Sequence, residues 1–330
     1  MTDQYGRQIN YMRISVTDRC NLRCVYCMPE EGVEQISHGE ILTYQEIAQI
    51  AEAAAELGIS RIRLTGGEPL VRRNLDRLVS MLTAIEGVEE VALTTNGVLL
   101  GEQIEGLAAA GLGSVNISLD TLERRQYASI TRRDELDRVL SGLERMREYP
   151  GIRVKLNCVP LAGCNESAWC TLAELARERD MDVRFIEMMP LGLGKRFPLC
   201  SQETVLQRLR ASFGAESQAG REEGESQAGS GPASYVTFAG FRGRVGFISA
   251  LSHKFCGSCN RVRLSAEGFL KPCLQYAGGT DLRRLLREGA SRQDISAAIR
   301  QAIWEKPACH QFGQPREEGT EQKNMNRIGG

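Results

Sequence analysis

Apolar and polar positions alternate along most of the chain with two periods that take turns. Short runs with β-branched or apolar residues at every second position predict six strands: "YMRISVT" (11–17), "RIRLTG" (61–66), "EVALTTN" (90–96), "SVNISLD" (114–120), "IRVKLNCVP" (152–160) and "DVRFIEMM" (182–189). Between them the period lengthens. In residues 43–58, Ile47, Ile50, Ala54 and Leu57 recur at helical spacing and Gly58 supplies a C-terminal stop. Repeated strand–helix units imply an α/β fold with a parallel sheet. The periodicity leaves open whether the units curl into an incomplete barrel or spread as a doubly wound sheet.

The pattern breaks at residues 214–234, where Gly, Ser, Gln, Glu and Ala dominate and "ESQAG" occurs twice; this composition predicts a linker or surface loop. Beyond it, "YVTFAG", "RVGFISAL" and "NRVRLSAEGFLKPC" predict antiparallel strands with a hairpin turn at "AEG", and two helical stretches follow from about 280 to 304. The polar segment from Gly313 to Gly330 is expected to be disordered in isolation. The expected organisation is therefore a domain of residues 1–213, a linker of 214–234 and a second domain of 235–330.

With 42% apolar and 25% charged residues and a net charge of -1, the chain has no global pull toward nucleic acid, so an anionic substrate must be held by a local set of cations. No secretion signal and no apolar run near membrane-spanning length is evident, and the expected location is the cytoplasm. There the eleven cysteines stay mostly reduced, which turns clustered ones toward metal or iron–sulfur ligation.

Cys20, Cys24 and Cys27 fall within "CNLRCVYCMP" (20–29). On a helix they would share a buried face, but Asp18, Asn21 and Pro29 suit a loop. A structural zinc ion asks for four ligands, and His38, the nearest histidine, has no second ligand beside it. An iron–sulfur cube with three thiolates keeps one iron open for a small molecule. A second trio, Cys256, Cys259 and Cys273, has the same property, against a zinc ribbon completed by His253 or Cys309. Cys158, Cys164, Cys170, Cys200 and Cys309 are scattered and read as ordinary thiols.

Arg13, Arg63, Lys155 and Arg184 interrupt apolar strand runs, where an unpaired buried charge is expensive. The placement suggests an anionic partner; the competing readings are side chains that alternate outward to solvent or pair with Glu187 or Asp120. Arg261 and Arg263 alternate along one strand and share a face just beyond Cys259. The three histidines, His38, His253 and His310, form no Ser-His-Asp set, and no paired carboxylates stand out, as expected for chemistry that does not run on acid–base side chains.

"YMRISVTDRCNLRCVYCMP", "RIRLTGGEPLVRR", "LTTNG", "RFIEMMP", "FISALSHKFCGSCNRVRLSAEGFLKPC" and the terminal "GG" together resemble the GTP 3′,8-cyclase family of radical S-adenosylmethionine (SAM) enzymes. The resemblance spans residues 5–330 except 214–234, which is longer and more repetitive than the family pattern. It implies an incomplete (β/α)6 barrel with a C-terminal α+β domain that carries a second cluster and covers the barrel mouth. The implied reaction converts GTP to (8S)-3′,8-cyclo-7,8-dihydroguanosine 5′-triphosphate, the first step of molybdenum cofactor biosynthesis, through a 5′-deoxyadenosyl radical that abstracts the ribose 3′ hydrogen.

The implied cofactors are SAM and two 4Fe-4S clusters, one on Cys20, Cys24 and Cys27, the other on Cys256, Cys259 and Cys273. Tyr26, Gly67, Ser118 and Met189 match SAM-contacting positions. Arg13, Arg63, Thr94, Lys155, Arg184, Arg261, Val262 and Arg263 match the GTP site. Arg13, Arg261, Arg263 and the tail residues Gly329 and Gly330 make up the implied catalytic set. Implied partners are an electron donor such as a flavodoxin-like reductase, a cyclic pyranopterin monophosphate synthase that takes the product, and a second copy of the chain as a homodimer. Two other readings compete: a radical SAM peptide-modifying enzyme with an auxiliary cluster, and a non-catalytic zinc or iron–sulfur module.

Overall fold

A computed structural model describes residues 1–218, 232–312 and 319–328. Six strands, β1 (Tyr11–Ser15), β2 (Arg61–Thr65), β3 (Glu90–Thr95), β4 (Ser114–Ser118), β5 (Arg153–Cys158) and β6 (Asp182–Ile186), lie side by side in chain order, all parallel. These are the six runs with period two. Helices fill the crossovers: α1 (Tyr44–Ala55), α2 (Leu75–Thr83), α3 (Leu100–Ala109), α4 (Arg124–Thr131), α5 (Leu136–Arg145), α6 (Ala168–Glu178) and α7 (Gln202–Phe213). α1 shows why: Thr43 and Glu46 close a capping box at its start, Ile47, Ile50 and Ala54 are buried, and Gly58 turns the chain at φ +86°.

The later strands are β7 (Ser217–Gln218), β8 (Ser234–Thr237), β9 (Val245–Ile248), β10 (Arg261–Leu264), β11 (Phe269–Lys271) and β12 (Thr280–Asp281), followed by α8 (Leu282–Arg287) and α9 (Arg292–Trp304). They continue the same sheet at both ends. β10 pairs with β1, and β9 with β6, both in parallel; only β7–β8–β9 and β10–β11–β12 are antiparallel. The expected antiparallel hairpins therefore exist, but each also docks in parallel on the barrel edge. Among the described residues the resulting sheet has 12 strands and is open, with β7 and β12 at its margins. The fold is an incomplete barrel, widened by C-terminal strands.

Strict alternation gives this curved sheet two unlike faces. Met12, Ile14, Ile62, Leu64, Leu93, Ile117, Leu156 and Phe247 join the helices in one buried core. Tyr11, Arg13, Arg61, Arg63, Thr94, Asn116, Lys155 and Arg184 point the other way, into a cavity. A closed barrel of this general kind fills its interior with branched apolar side chains; here that face is polar and remains hollow.

Two expectations need revision. Within the segment expected to be a linker, Ser217–Gln218 pairs with β8, while residues 219–231 lie outside the described residues. Within the tail expected to be disordered, residues 319–328 pack on the body: Glu321 forms a buried ion pair with Lys271, and Asn326 and Ile328 are buried. Gly329 and Gly330 lie outside the described residues. No described helix is long and apolar enough to cross a membrane.

Leu64 sits at full burial on the helix-facing side. Leu64→Ala is expected to lower unfolding free energy by about 2–5 kcal/mol in chemical denaturation. A loss under about 1 kcal/mol would contradict a tightly packed helix–sheet interface.

Candidate active site

The polar face of the sheet, the loops beyond its strand C-termini and the C-terminal segment enclose a cavity of about 460 Å³. All six cysteines of the two trios line it. So do Tyr26, Gly67, Ser118 and Met189, together with Arg13, Arg63, Thr94, Lys155, Arg184, Arg261 and Arg263. The sequence scattered these residues over most of the chain; parallel register gathers them.

The first trio sits on the loop after β1, which α4 and the β2 turn hold from two sides. The Arg23 and Val25 amides donate to the Thr131 and Ile130 carbonyls, and Arg132 Nη1 donates to the carbonyls of Arg23 and Met28, each at 3.1 Å. Opposite, Gly67 N and Glu68 N donate to Thr17 O and Arg19 O at 2.8 Å. A Cβ on Gly67 would stand 2.4 Å from Arg19 O, so this glycine is required by the loop itself. Tyr26 is fixed by an O–H bond to Asp120 Oδ2 at 2.6 Å and by edge contact with Phe197. Burial pushes the Asp120 carboxyl up to about 6.

Burial, then Glu68, pushes the Cys20 thiol up to about 12, and burial pushes Cys27 up to about 11. Thiolates here need a cation, which a metal centre supplies. The second trio differs. Burial also raises Cys259, but Lys306 and Arg261 outweigh it and pull the thiol below its usual value. A single ion needs its ligands gathered about one point, and among the described residues no three His, Cys, Asp or Glu groups are so gathered. A cube takes one thiolate at each of its iron corners, and three thiols on one cavity wall suit the clusters that the resemblance implies.

Between the trios stands a bank of cations. Arg263, Arg13 and Arg63 hold the same register on β10, β1 and β2, and Arg261 flanks Tyr11 one pleat away. Burial and then Arg263 drive the Arg13 pKa well below its ordinary value; burial and then Arg261 lower Arg263 to about 10. Arg63 donates to the Tyr11 hydroxyl and to Leu93 O. Lys155 pairs with Asp182 at 3.1 Å, a carboxylate that Arg244 also holds, and Arg184 donates to Asn157 Oδ1. Neither Glu187 nor Asp120 is where these cations spend their charge: Glu187 accepts from Leu251 N and Ser252, and Asp120 from Tyr26 and Val159 N. Five buried polar atoms of residues lining the same space have no hydrogen-bond partner among the described residues, among them Thr94 Oγ1 and Asn116 Oδ1, beside Thr65 Oγ1, His310 Nδ1 and Asn326 Oδ1. The chamber offers cations, a hydroxyl and an amide carbonyl to a polar anion.

Val262 is the exception among the expected contacts. Its side chain is fully buried in the helix-side core, because a residue between two lumen-facing arginines must face the opposite way. Residues that sequence reasoning missed are Asn116, Asp120, Tyr11 and Tyr235. Tyr11 and Asn116 carried a signal in the alternation of β1 and β4; Tyr235 lies over Lys155 and Arg244 and carried none.

The Radical SAM superfamily model matches residues 14–176, and the Molybdenum Cofactor Synthesis C model matches residues 181–312. The chain is 41% identical over 330 residues to the GTP 3′,8-cyclase of Clostridium perfringens (strain 13 / Type A), covering 100% of both chains. It is 45% identical over 338 residues to the GTP 3′,8-cyclase of Moorella thermoacetica, again covering 100% of both. Among solved structures, Streptococcus suis SuiB bound to precursor peptide SuiA superposes with a TM-score of 0.61 at 14% identity, covering 92% of this chain and 66% of that one. At that identity the likeness is one of fold.

Tyr11 reports on the cation bank. Burial raises its phenol, but Arg63, Arg13 and Arg261 outweigh burial and bring it from 10.0 to about 8. Tyrosinate absorbance is expected to show a group ionising near pH 8 that Tyr11→Phe removes. Because the folded state releases this proton first, its contribution to stability is complete above the unfolded value and is lost as pH falls through about 8. Superimposable titrations of the two proteins would contradict the assignment.

Proposed function

The chain belongs to the GTP 3′,8-cyclase family of radical SAM enzymes, and from that premise we propose how its residues divide the work. The enzyme converts GTP to the 3′,8-cyclo-7,8-dihydro nucleotide at the start of molybdenum cofactor biosynthesis. When bound, the first cluster and SAM supply the 5′-deoxyadenosyl radical that takes the ribose 3′ hydrogen.

Cys20, Cys24 and Cys27 would hold that cluster, and Tyr26, Gly67, Ser118 and Met189 would hold SAM. Tyr26 keeps its place through Asp120. Arg13, Arg63, Lys155 and Arg184 neutralise the triphosphate, the fork of each arginine matching phosphate oxygens. Thr94 and Asn116 offer their unpartnered oxygens to the sugar or base. Cys256, Cys259 and Cys273 would hold the second cluster, which would supply a binding point for the guanine, and Arg261 and Arg263 line the same cavity. Fixing the nucleotide at both ends aims its ribose at the radical, which is where positioning contributes most to rate. We assign Gly329 and Gly330 to the same centre by resemblance; Met325 and Asn326, just before them, line the cavity.

The observation that carries this assignment is the cation bank lying in one chamber between two cysteine trios. A peptide-modifying radical SAM enzyme has no need of that bank, and a zinc module needs neither the bank nor the hollow sheet. We further propose a barrel of residues 1–213 and a cluster-bearing unit of residues 235–330 joined by 214–234, of which Ser217–Gln218 pairs with β8, action in the cytosol, reduction by a flavodoxin-like donor, and transfer of the product to a cyclic pyranopterin monophosphate synthase. A homodimer is compatible with this scheme.

Anaerobic reconstitution with iron and sulfide, followed by SAM, dithionite and GTP, tests the assignment. 5′-Deoxyadenosine is expected only when GTP is present; GTP-independent cleavage would favour the peptide enzyme, and no cleavage the module. The double variant Arg261→Ala/Arg263→Ala is expected to keep wild-type iron and to bind GTP roughly 100-fold more weakly. Unchanged GTP affinity would refute the role of the pair.

A further inference from the structure

The second trio poses a problem of assembly that the first does not. Cys20, Cys24 and Cys27 share one short loop, whereas Cys256 and Cys259 precede β10 and Cys273 follows β11 at the far side of a hairpin. The hairpin ladder holds β10 to β11 but leaves the turn of Cys256–Ser258 and the chain after Lys271 outside it. What fixes those two pieces is a pair of buried cations from elsewhere.

Arg7 lies before β1 and is 6% exposed. Its Nε donates to Asp3 Oδ2 at 2.6 Å, its Nη1 to Cys256 O at 3.0 Å and Ala308 O at 2.9 Å, and its Nη2 to Pro307 O at 2.8 Å and Lys306 O at 3.4 Å. Five acceptors meet the five N–H bonds of the guanidinium. Lys306, 3% exposed, donates from Nζ to Arg261 O at 2.8 Å and Pro272 O at 2.5 Å. Arg7 thus grips the carbonyl of one cysteine. Lys306 grips the residue before another, and a residue two beyond the third.

We propose that Arg7 and Lys306 are positioning residues for the second cysteine trio, a two-cation clasp that sets Cys256, Cys259 and Cys273 on one wall of the cavity. Geometry and chemistry both support it. Carbonyl oxygens at separate places in the chain need a multidentate donor to be drawn together, and each burial of a cation without acceptors would be costly. Lys306 also stands near Cys259 without ligating iron, and so offsets part of the negative charge the trio carries when metallated, whereas the Arg7 charge is met by Asp3. The chain around Lys306 extends the arrangement: His310 N donates to Cys256 Sγ at 3.5 Å, and the His310 ring is bonded through Nε2 to Ala250 O at 2.8 Å.

The inference rests on reading the second trio as cluster ligands, so the test carries a control for that reading. Wild type, Cys256→Ala, Arg7→Met, Arg7→Lys and Lys306→Met are reconstituted anaerobically. Iron per chain, the cluster spectrum with and without GTP, the SAM-induced spectral change and far-ultraviolet circular dichroism are then measured. Arg7→Met and Lys306→Met are expected to match Cys256→Ala: about half the wild-type iron, loss of the GTP-induced change, and retention of the SAM-induced change and of secondary structure. Arg7→Lys, with a point charge in place of a fork, is expected to recover part of the iron. If Cys256→Ala loses iron while both methionine variants keep the full complement and the GTP response, the clasp is refuted and the cluster reading stands. If Cys256→Ala itself keeps wild-type iron, the cluster reading fails and takes the clasp with it. Loss of the SAM response together with the GTP response in the methionine variants would also overturn the proposal, since it would mark Arg7 and Lys306 as general supports of the fold.

Discussion

Three arginines at one register on adjacent strands, Arg263, Arg13 and Arg63, put like charge on like charge inside a cavity wall, with Arg261 one pleat away and Arg184 and Lys155 across the lumen. Burial and mutual repulsion among these cations work against their charged forms, and a polyanion entering the cavity would offset that cost. The constraint propagates outward. A sheet that presents cations on one face must place its whole apolar set on the other, and the core accordingly lies between sheet and helices instead of along a barrel axis. An open sheet with a hollow, polar concavity is the form that follows.

That concavity also explains why the C-terminal strands do not fold as a separate sheet. Their lumen-facing residues extend the same polar wall, with Arg261 and Arg263 continuing the row begun by Arg13 and Arg63, and their apolar residues Val262, Leu264, Val245 and Phe247 continue the same core. Parallel docking on β1 and β6 brings the second cysteine trio to the rim opposite the first. The two trios then differ in their surroundings, the first near Glu68 and Asp120, the second near Lys306 and Arg261. The chamber is polar in a graded way, with the carboxyl groups of Glu68 and Asp120 beside the first trio and cations beside the second.

Much of this is legible in the sequence. Period-two runs located all six barrel strands because each strand has a buried and a lumen face, and charges inside those runs pointed to the cation bank. The trios were legible as trios. What escaped depended on distant pairing. Period two reads the same for parallel and antiparallel strands, so the docking of β10 on β1 left no local trace. The alternation that placed Arg261 and Arg263 on one face already put Val262 on the other, a signal present in the sequence and passed over. The role of Asp120 became visible only through Tyr26, a partner far along the chain. The tail from Thr320 to Ile328 is polar by composition yet anchored by the Lys271–Glu321 pair and by Asn326 on Asp18 O, contacts that no local pattern encodes.

The central claim is that the hollow face of the sheet is built to be completed by a chain of phosphates. Thermal unfolding of the reconstituted protein with inorganic tripolyphosphate, at matched ionic strength, tests it without nucleoside, radical or product. The account predicts a rise in Tm that grows with tripolyphosphate concentration and disappears when Arg13 and Arg63 are both replaced by Ala. An unchanged Tm in the wild-type protein, or an equal rise in the doubly substituted one, would contradict it.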